Sequence, residues 1–185
     1  MNLSQPSQPS QLSLPPPKRF NAAVGVKAAR FLSSKPPFIK RGKASGRYAV
    51  GVRYEREVQE LIELHFLGQP EVTHLAGPWL EFTDRSGRRW CQPDALVINR
   101  AASTCLIAEV KYQHTADAWW QLKQLYQPVL AVALPQFTFK LLEIVHWYDP
   151  LVAWPERPVL VASIDEVSNG NISVHICNPK RRARL

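Results

Sequence analysis

Apolar positions recur along this chain with more than one period, and each period predicts an element. From Tyr54 to Phe66 the stripe Tyr54, Val58, Leu61, Ile62, His65 advances in steps of three and four, which predicts an amphipathic helix. Gly68 and Pro70 end it. Trp79 to Thr83 and Arg88 to Pro93 flank the turn Asp84-Arg-Ser-Gly87 and read as a β-hairpin. Ala95 to Ile98 and Cys105 to Ala108 are unbroken apolar runs, the mark of strands covered on both faces. The helical period returns from Thr115 to Val132 through Trp119, Leu122, Leu125, Tyr126 and Val129. Pro128 should interrupt that helix, because it has no amide proton and crowds the carbonyl of Gln124. Lys140 to Trp147, Val159 to Ile164 and Ile172 to Cys177 read as further strands. The order predicts an α/β fold, a mixed sheet flanked by helices.

Upstream of Tyr54 the pattern dissolves. Residues 4–17 are Ser, Gln, Leu and Pro, a composition with fixed φ angles and little to bury, expected to be disordered. From Lys18 to Gly46 apolar residues alternate with basic ones; a short helix over Ala22 to Leu32 is allowed, and the compact domain is expected to begin near Gly46. The chain would thus divide into an arm, 1–46, and one domain, 47–185, a length that suits one core.

Charge sharpens this division. The net charge is +8, and residues 1–47 hold nine Lys or Arg and no Asp or Glu, leaving 14 basic against 15 acidic residues beyond them. A basic arm on a neutral body points to a polyanion, since Lys and Arg contacts to phosphate supply sequence-independent affinity; a solvated tail is the alternative. Lys40, Arg41, Lys43 and Arg47, with Arg88 and Arg89 on the hairpin, are the candidate nucleic-acid contacts, and Lys180 to Arg184 adds a second basic patch. Cys91, Cys105 and Cys177 form no CxxC pair, which fits a reducing compartment. No apolar run approaches the roughly 18 residues that span a bilayer, and the start lacks the order of a signal peptide. The expectation is a cytoplasmic protein without a membrane partner.

Three charges interrupt the apolar pair of strands: Asp94 before the first, Glu109 and Lys111 at the end of the second. Alternation puts Glu109 and Lys111 on one face and Ala108 and Val110 on the other. Charges at the end of so apolar a strand must pair, bind a metal or face a cleft. The plainer possibility is a surface ion pair worth about 0–1 kcal/mol.

Pro93-Asp94, then Glu109-Val110-Lys111 after fourteen intervening residues, resembles the PD-(D/E)XK nuclease superfamily. The resemblance covers about residues 51–130 and implies a restriction-endonuclease-like αβββαβ core, here with extra C-terminal strands. It implies a DNA endonuclease in which Asp94, Glu109 and the carbonyl of Val110 hold Mg²⁺, with Mn²⁺ as substitute, while Lys111 assists the attacking water and the transition state. Gly51 to Arg56 is similar to the opening helix of archaeal Holliday-junction resolvases, whose Gly-xxx-Glu-Arg pattern makes Glu55 a further metal ligand. Gln121 with Tyr126 looks like the Gln and Tyr of RecB-like nucleases, one residue farther apart than usual, and would position water or phosphate. Pro70-Glu71-Val72, the hairpin and the later residues are also similar to the endonuclease subunit of heteromeric transposases. A homodimer or a partner recombination protein is therefore expected alongside DNA. A catalytically silent DNA-binding module, or an adapter using the Pro-rich arm, are the competing classes.

Overall fold

A computed structural model describes residues 22–39 and 46–179, with the backbone alone of Arg47. Lys40, Arg41, Lys43, the side chain of Arg47, the Pro-rich stretch and the basic end from Lys180 lie outside the described residues.

The first helix, α1 (Gly46–His65), starts two turns before the predicted stripe. Its opening residues are largely exposed, so no apolar period reports them. A six-stranded mixed sheet follows the order β2 (Val72–Ala76), β5 (Ala95–Asn99), β6 (Thr104–Gln113), β7 (Thr138–Trp147), β9 (Ile172–Ile176), β8 (Val159–Val161). β5 runs antiparallel to both of its neighbours, β2 and β6, with Ala95 opposite Ala108 and Ile98 opposite Cys105. β7 joins β6 in parallel, and the remaining pairs are parallel. The strand β2 is one the pattern does not reveal, because its residues are half-buried on both faces. At the far end, Val159 to Ile164 gives only three strand residues before a 3-10 turn at Ile164–Glu166.

The hairpin forms as predicted, β3 (Leu80–Asp84) against β4 (Gly87–Cys91). It leaves the main sheet, however, and makes a second, three-stranded sheet with β1 (Ala28–Phe31). This corrects the reading of the region before Gly46: Ala28 to Phe31 is not helical but an edge strand paired with β3. Ala23 is buried in the same core, so packing begins well before Gly46. Pairing outweighs local helix preference here because the hairpin offers an open edge.

The six-stranded sheet buries both faces. Tyr54, Val58 and Ile62 of α1 cover Ala95, Val97, Ala108, Val110, Leu142 and Ile144. The opposite face, including Leu96, Ile98, Cys105 and Ile107, packs under Trp119, Leu122, Tyr126, Val129 and Leu130 and against Leu80 and Phe82 of the hairpin. That covering segment is not one regular helix. It runs as α2 (Ala116–Trp120), a π-turn at Gln121–Tyr126, and α3 (Gln127–Ala133). Pro128 lies just past the irregularity. It cannot donate to Gln124, and the freed Gln124 carbonyl instead accepts the backbone N–H of Ala23 at 2.8 Å, while Gln127 donates five residues back to Leu122. Among the described residues no helix is long and apolar enough to cross a membrane.

Candidate active site

Asp94, Glu109 and Lys111 converge where β5 begins and β6 runs on past it. The pairing of β5 stops at Ala95 opposite Ala108, so Val110 faces no strand on that side. Asp94 fills the place: its Oδ2 accepts the Val110 N–H at 2.7 Å. A strand residue presents its N–H and its C=O to the same neighbour, so the Val110 carbonyl opens toward Asp94 as well. The backbone of Asp94 is itself held, its carbonyl accepting from the Gly77 N–H at 2.7 Å and from Gln59 Nε2 at 2.7 Å. Gln59 is fixed in turn by His74 at 3.0 Å. Gly77 lies at φ +54, and a Cβ there would meet Gln92 Nε2 at 2.9 Å, so this turn requires glycine.

Glu109 is buried, and its Oε1 accepts from Lys111 Nζ at 2.5 Å. Its Oε2 has no donor. Burial, and then the charge of Asp94, push the Glu109 carboxyl above its ordinary range, against the pull of Lys111. Burial likewise raises Asp94, opposed by Lys111 and the Val110 amide. Burial would lower Lys111, but Glu109, Asp94 and Glu143 reverse it and hold the ammonium above its usual pKa. Glu55 of α1 belongs to the same cluster. Burial and the Asp94 charge raise it to about 7, and Lys111 draws it down. Glu55 thus feels the charges of Asp94 and Lys111, whereas Glu57, also on α1, borders a separate cavity with Arg53 and Tyr112.

The π-turn sets the opposite wall. A turn closed by i to i+5 bonds superposes residues five apart, and Gln121 Nε2 lies 3.4 Å from the Tyr126 hydroxyl. That hydroxyl donates to the Gln92 carbonyl at 3.2 Å. Burial and the charges of Glu109 and Asp94 raise the Tyr126 phenol well above its usual pKa. Gln121 Oε1 is buried without a partner. Two further buried groups adjoin the cluster and were not predicted. Glu143 on β7 stands in register with Glu109 and pairs with His114 Nδ1, both fully enclosed. Thr115 N–H donates to its other oxygen at 3.4 Å. Burial raises Glu143, and His114 opposes it. The rule that singled out Glu109, a carboxylate inside an apolar strand, applies equally to Leu141-Leu-Glu143-Ile-Val145 and could have found it.

The hairpin arginines sit in other company. Arg89 bonds Asp84 Oδ2 at 2.7 Å and the Ala22 carbonyl at 2.8 Å, and lies over the Phe82 ring. Arg88 pairs with Glu81 and covers Trp90 at 5.5 Å. Among the described residues no three His, Cys, Asp or Glu side chains are gathered closely enough to form a metal cage on their own. Comparison with protein-family models, curated proteins and solved structures gave no match.

Proposed function

We propose that this chain is a metal-dependent DNA endonuclease of the PD-(D/E)XK superfamily. The observation that carries the reading is the joint placement of Asp94, Glu109 and Lys111 on adjacent antiparallel strands, with one buried oxygen of Glu109 left without a donor. Three features support it further. The run α1, antiparallel β2-β5-β6, the helical segment 116–133 and parallel β7 has the αβββαβ order expected of that superfamily, with the hairpin inserted after β2. Glu55 of the first helix feels the charges of Asp94 and Lys111. The π-turn absorbs the extra residue between Gln121 and Tyr126, so the longer spacing still brings the two side chains together.

The residues fit a hard divalent cation. Asp94, Glu109 and Glu55 crowd negative charge into a poorly solvated place, where the charge of Asp94 raises the pKa of both Glu109 and Glu55, and they include an oxygen with nothing to accept from. Mg²⁺, or Mn²⁺ in its stead, would be held by Asp94, Glu109, the Val110 carbonyl and Glu55, and would supply charge neutralisation on the phosphate and a more acidic water. The chain's own groups do the rest. Hydrolysis joins a water oxygen to phosphorus, breaks one ester P–O bond and leaves a proton on the departing oxygen. Lys111, kept cationic by its carboxylate neighbours, donates to the attacking water or the phosphate oxygens where charge grows. Gln121 offers an amide to position water or phosphate.

The test is incubation of the purified protein with supercoiled, linear and branched DNA in Mg²⁺, Mn²⁺ or EDTA. Metal-dependent cleavage that disappears in Lys111→Ala is expected. Wild-type cleavage by Lys111→Ala, or no cleavage of any of the three DNAs by the wild type in either metal, overturns the reading.

A further inference from the structure

Beside the carboxylate cluster, on the other face of β6, lies a cavity of about 100 Å³ lined by Arg53, Tyr54, Glu57, Tyr112, His146 and Asn178, among others. It is a separate space from the site of Asp94 and Glu109, yet its walls are the next residues along the same elements. Tyr112 follows Lys111 on β6, and alternation turns it to the α1 face. Tyr54, Arg53 and Glu57 flank Glu55 on α1. Anything held here lies across β6 from the proposed chemistry, with walls next in sequence to Lys111 on β6 and to Glu55 on α1.

The lining is aromatic and stacked. Tyr112 and His146 lie face to face, 4.9 Å between centroids and 19° between planes. Tyr54 stands edge-on to both, 5.7 Å from each. Tyr54 is locked by its hydroxyl on the Cys177 carbonyl at 3.0 Å, and it is buried while Tyr112 is 40% exposed. The Nδ1 of His146 has no hydrogen-bond partner, so ring contacts rather than that nitrogen hold the imidazole in place. A rigid floor with an open tyrosine at its rim is a poor use of aromatic surface unless something flat completes the stack. Around it stand one cation, Arg53, one carboxylate, Glu57, and the side-chain amide of Asn178.

We propose that this cavity receives an unstacked nucleobase of the DNA strand being cut, and that the enzyme therefore prefers DNA with an unpaired nucleotide next to the scissile phosphate over continuous duplex. This rests on the nuclease reading for the choice of ligand. Tyr112 supplies the stacking face, Glu57 and Asn178 meet the polar edge of the base, and Arg53 meets the phosphate that precedes or follows it. Stacking on an aromatic side chain tolerates any base, so the preference is for DNA structure rather than sequence.

Binding is measured in EDTA, where no cleavage occurs, by fluorescence anisotropy with two probes: a DNA hairpin carrying a short oligothymidine tail, and the same hairpin with a blunt end. The wild type should bind the tailed probe more tightly. Tyr112→Ala should lose roughly 10-fold on the tailed probe and little on the blunt one, with Tyr112→Phe restoring affinity. A 2-aminopurine placed at the first unpaired position should be quenched by the wild type and stay bright with Tyr112→Ala. His146→Ala, farther inside the stack, serves as the second variant, with thermal melting as the check on folding. Equal loss on both probes, or a tailed-probe affinity unchanged by both folded variants, overturns the proposal. The cleavage assay is independent: Tyr112-dependent binding without metal-dependent cutting removes the nuclease reading and leaves the base cavity, and cutting without Tyr112 dependence does the reverse.

Discussion

Asp84 on the hairpin and Glu109 on β6 are both buried carboxylates beside a cation, and the fold completes one pair while leaving the other open. Asp84 has a donor on each oxygen, the Ser86 amide at 2.8 Å and Arg89 at 2.7 Å. Burial pulls its pKa up, but the Ser86 amide and Arg89 outweigh it and hold the carboxyl below the ordinary range. Glu109 has Lys111 on one oxygen, nothing on the other and Asp94 nearby, and its carboxyl is pushed up. A pair that serves the fold satisfies its lone pairs; a buried carboxylate left short of donors gives up stability, which is the cost expected of a group kept for binding under the proposed function.

The largest effect that could break this contrast is on cleavage. Lys111→Ala should lower the rate by about 10²-fold or more, on the scale of deleting a transition-state donor, with Mg²⁺ and DNA binding largely kept. Asp94→Ala and Glu109→Ala should lose metal binding as well as rate. The three act as one unit, so Lys111→Ala combined with Asp94→Ala should be little worse than either alone. Rates and Mg²⁺ titrations on the same proteins decide. If Asp94→Ala titrates like the wild type, its carboxylate is not a ligand.

The second test exchanges the outcomes. Asp84→Asn should cost about 1–3 kcal/mol, since it strands the partners of a satisfied buried group, and so lower the melting point by several degrees without changing the cleavage rate. Glu109→Gln should abolish cleavage while holding or raising the melting point. The sign with pH follows from the lowered Asp84. Its contribution is present above the unfolded carboxylate pKa of about 3.9 and is lost as pH falls through the folded value. The gap in stability between wild type and Asp84→Asn, measured by urea unfolding, should therefore be wide at pH 7 and narrow below about pH 4. A gap independent of pH would show that Asp84 does not act through its charge.

If the proposed function holds, the same contrast predicts that the basic residues upstream of α1 carry more of the DNA affinity than the hairpin, whose arginines are engaged by Glu81 and Asp84. Deleting everything before Gly46 would now also remove β1 and the bond from Ala23 to Gln124, so substitution is the cleaner experiment. Replacing Lys40, Arg41 and Lys43 by Ala should flatten the dependence of binding on log salt by about 0.9 for each phosphate no longer neutralised, with folding unaffected. Arg89→Ala should do the opposite, lowering the melting point and leaving the slope. An unchanged slope for the triple variant would take the upstream residues out of the interface.

What the sequence made legible was whatever repeats or contradicts its surroundings. Charges in the apolar runs exposed Asp94, Glu109 and Lys111, and the helical stripe exposed α1. Glu143 carried the same signal but lacked a motif partner nearby in sequence, because His114 reaches it from the end of a different strand. The strand β1 was illegible for a different reason. Ala28-Ala-Arg-Phe31 has no intrinsic strand pattern and becomes a strand only because β3 presents an edge to it. Equally, nothing local says that a hairpin feeding the Asp94 strand will leave the main sheet.

Pro128 joins the two regions, and its replacement gives the smallest expected effect. Its missing amide frees the Gln124 carbonyl for Ala23, which ties the segment leading into β1 to the helix that carries Gln121 and Tyr126. Pro128→Ala restores a donor that competes for that carbonyl. The helix should then approach regular i to i−4 bonding, relaxing the contact of Gln121 with Tyr126, whose phenol lies beside Glu109. Stability should change by no more than about 1 kcal/mol, since the loss of proline rigidity in the unfolded chain partly offsets the new bond. The Ala23 amide should exchange with solvent faster and cleavage should fall by a few fold. Hydrogen exchange read at Ala23 is the deciding measurement. Unaltered protection there would mean that the Ala23 bond survives competition, and that the π-turn is imposed by packing against the sheet rather than by proline.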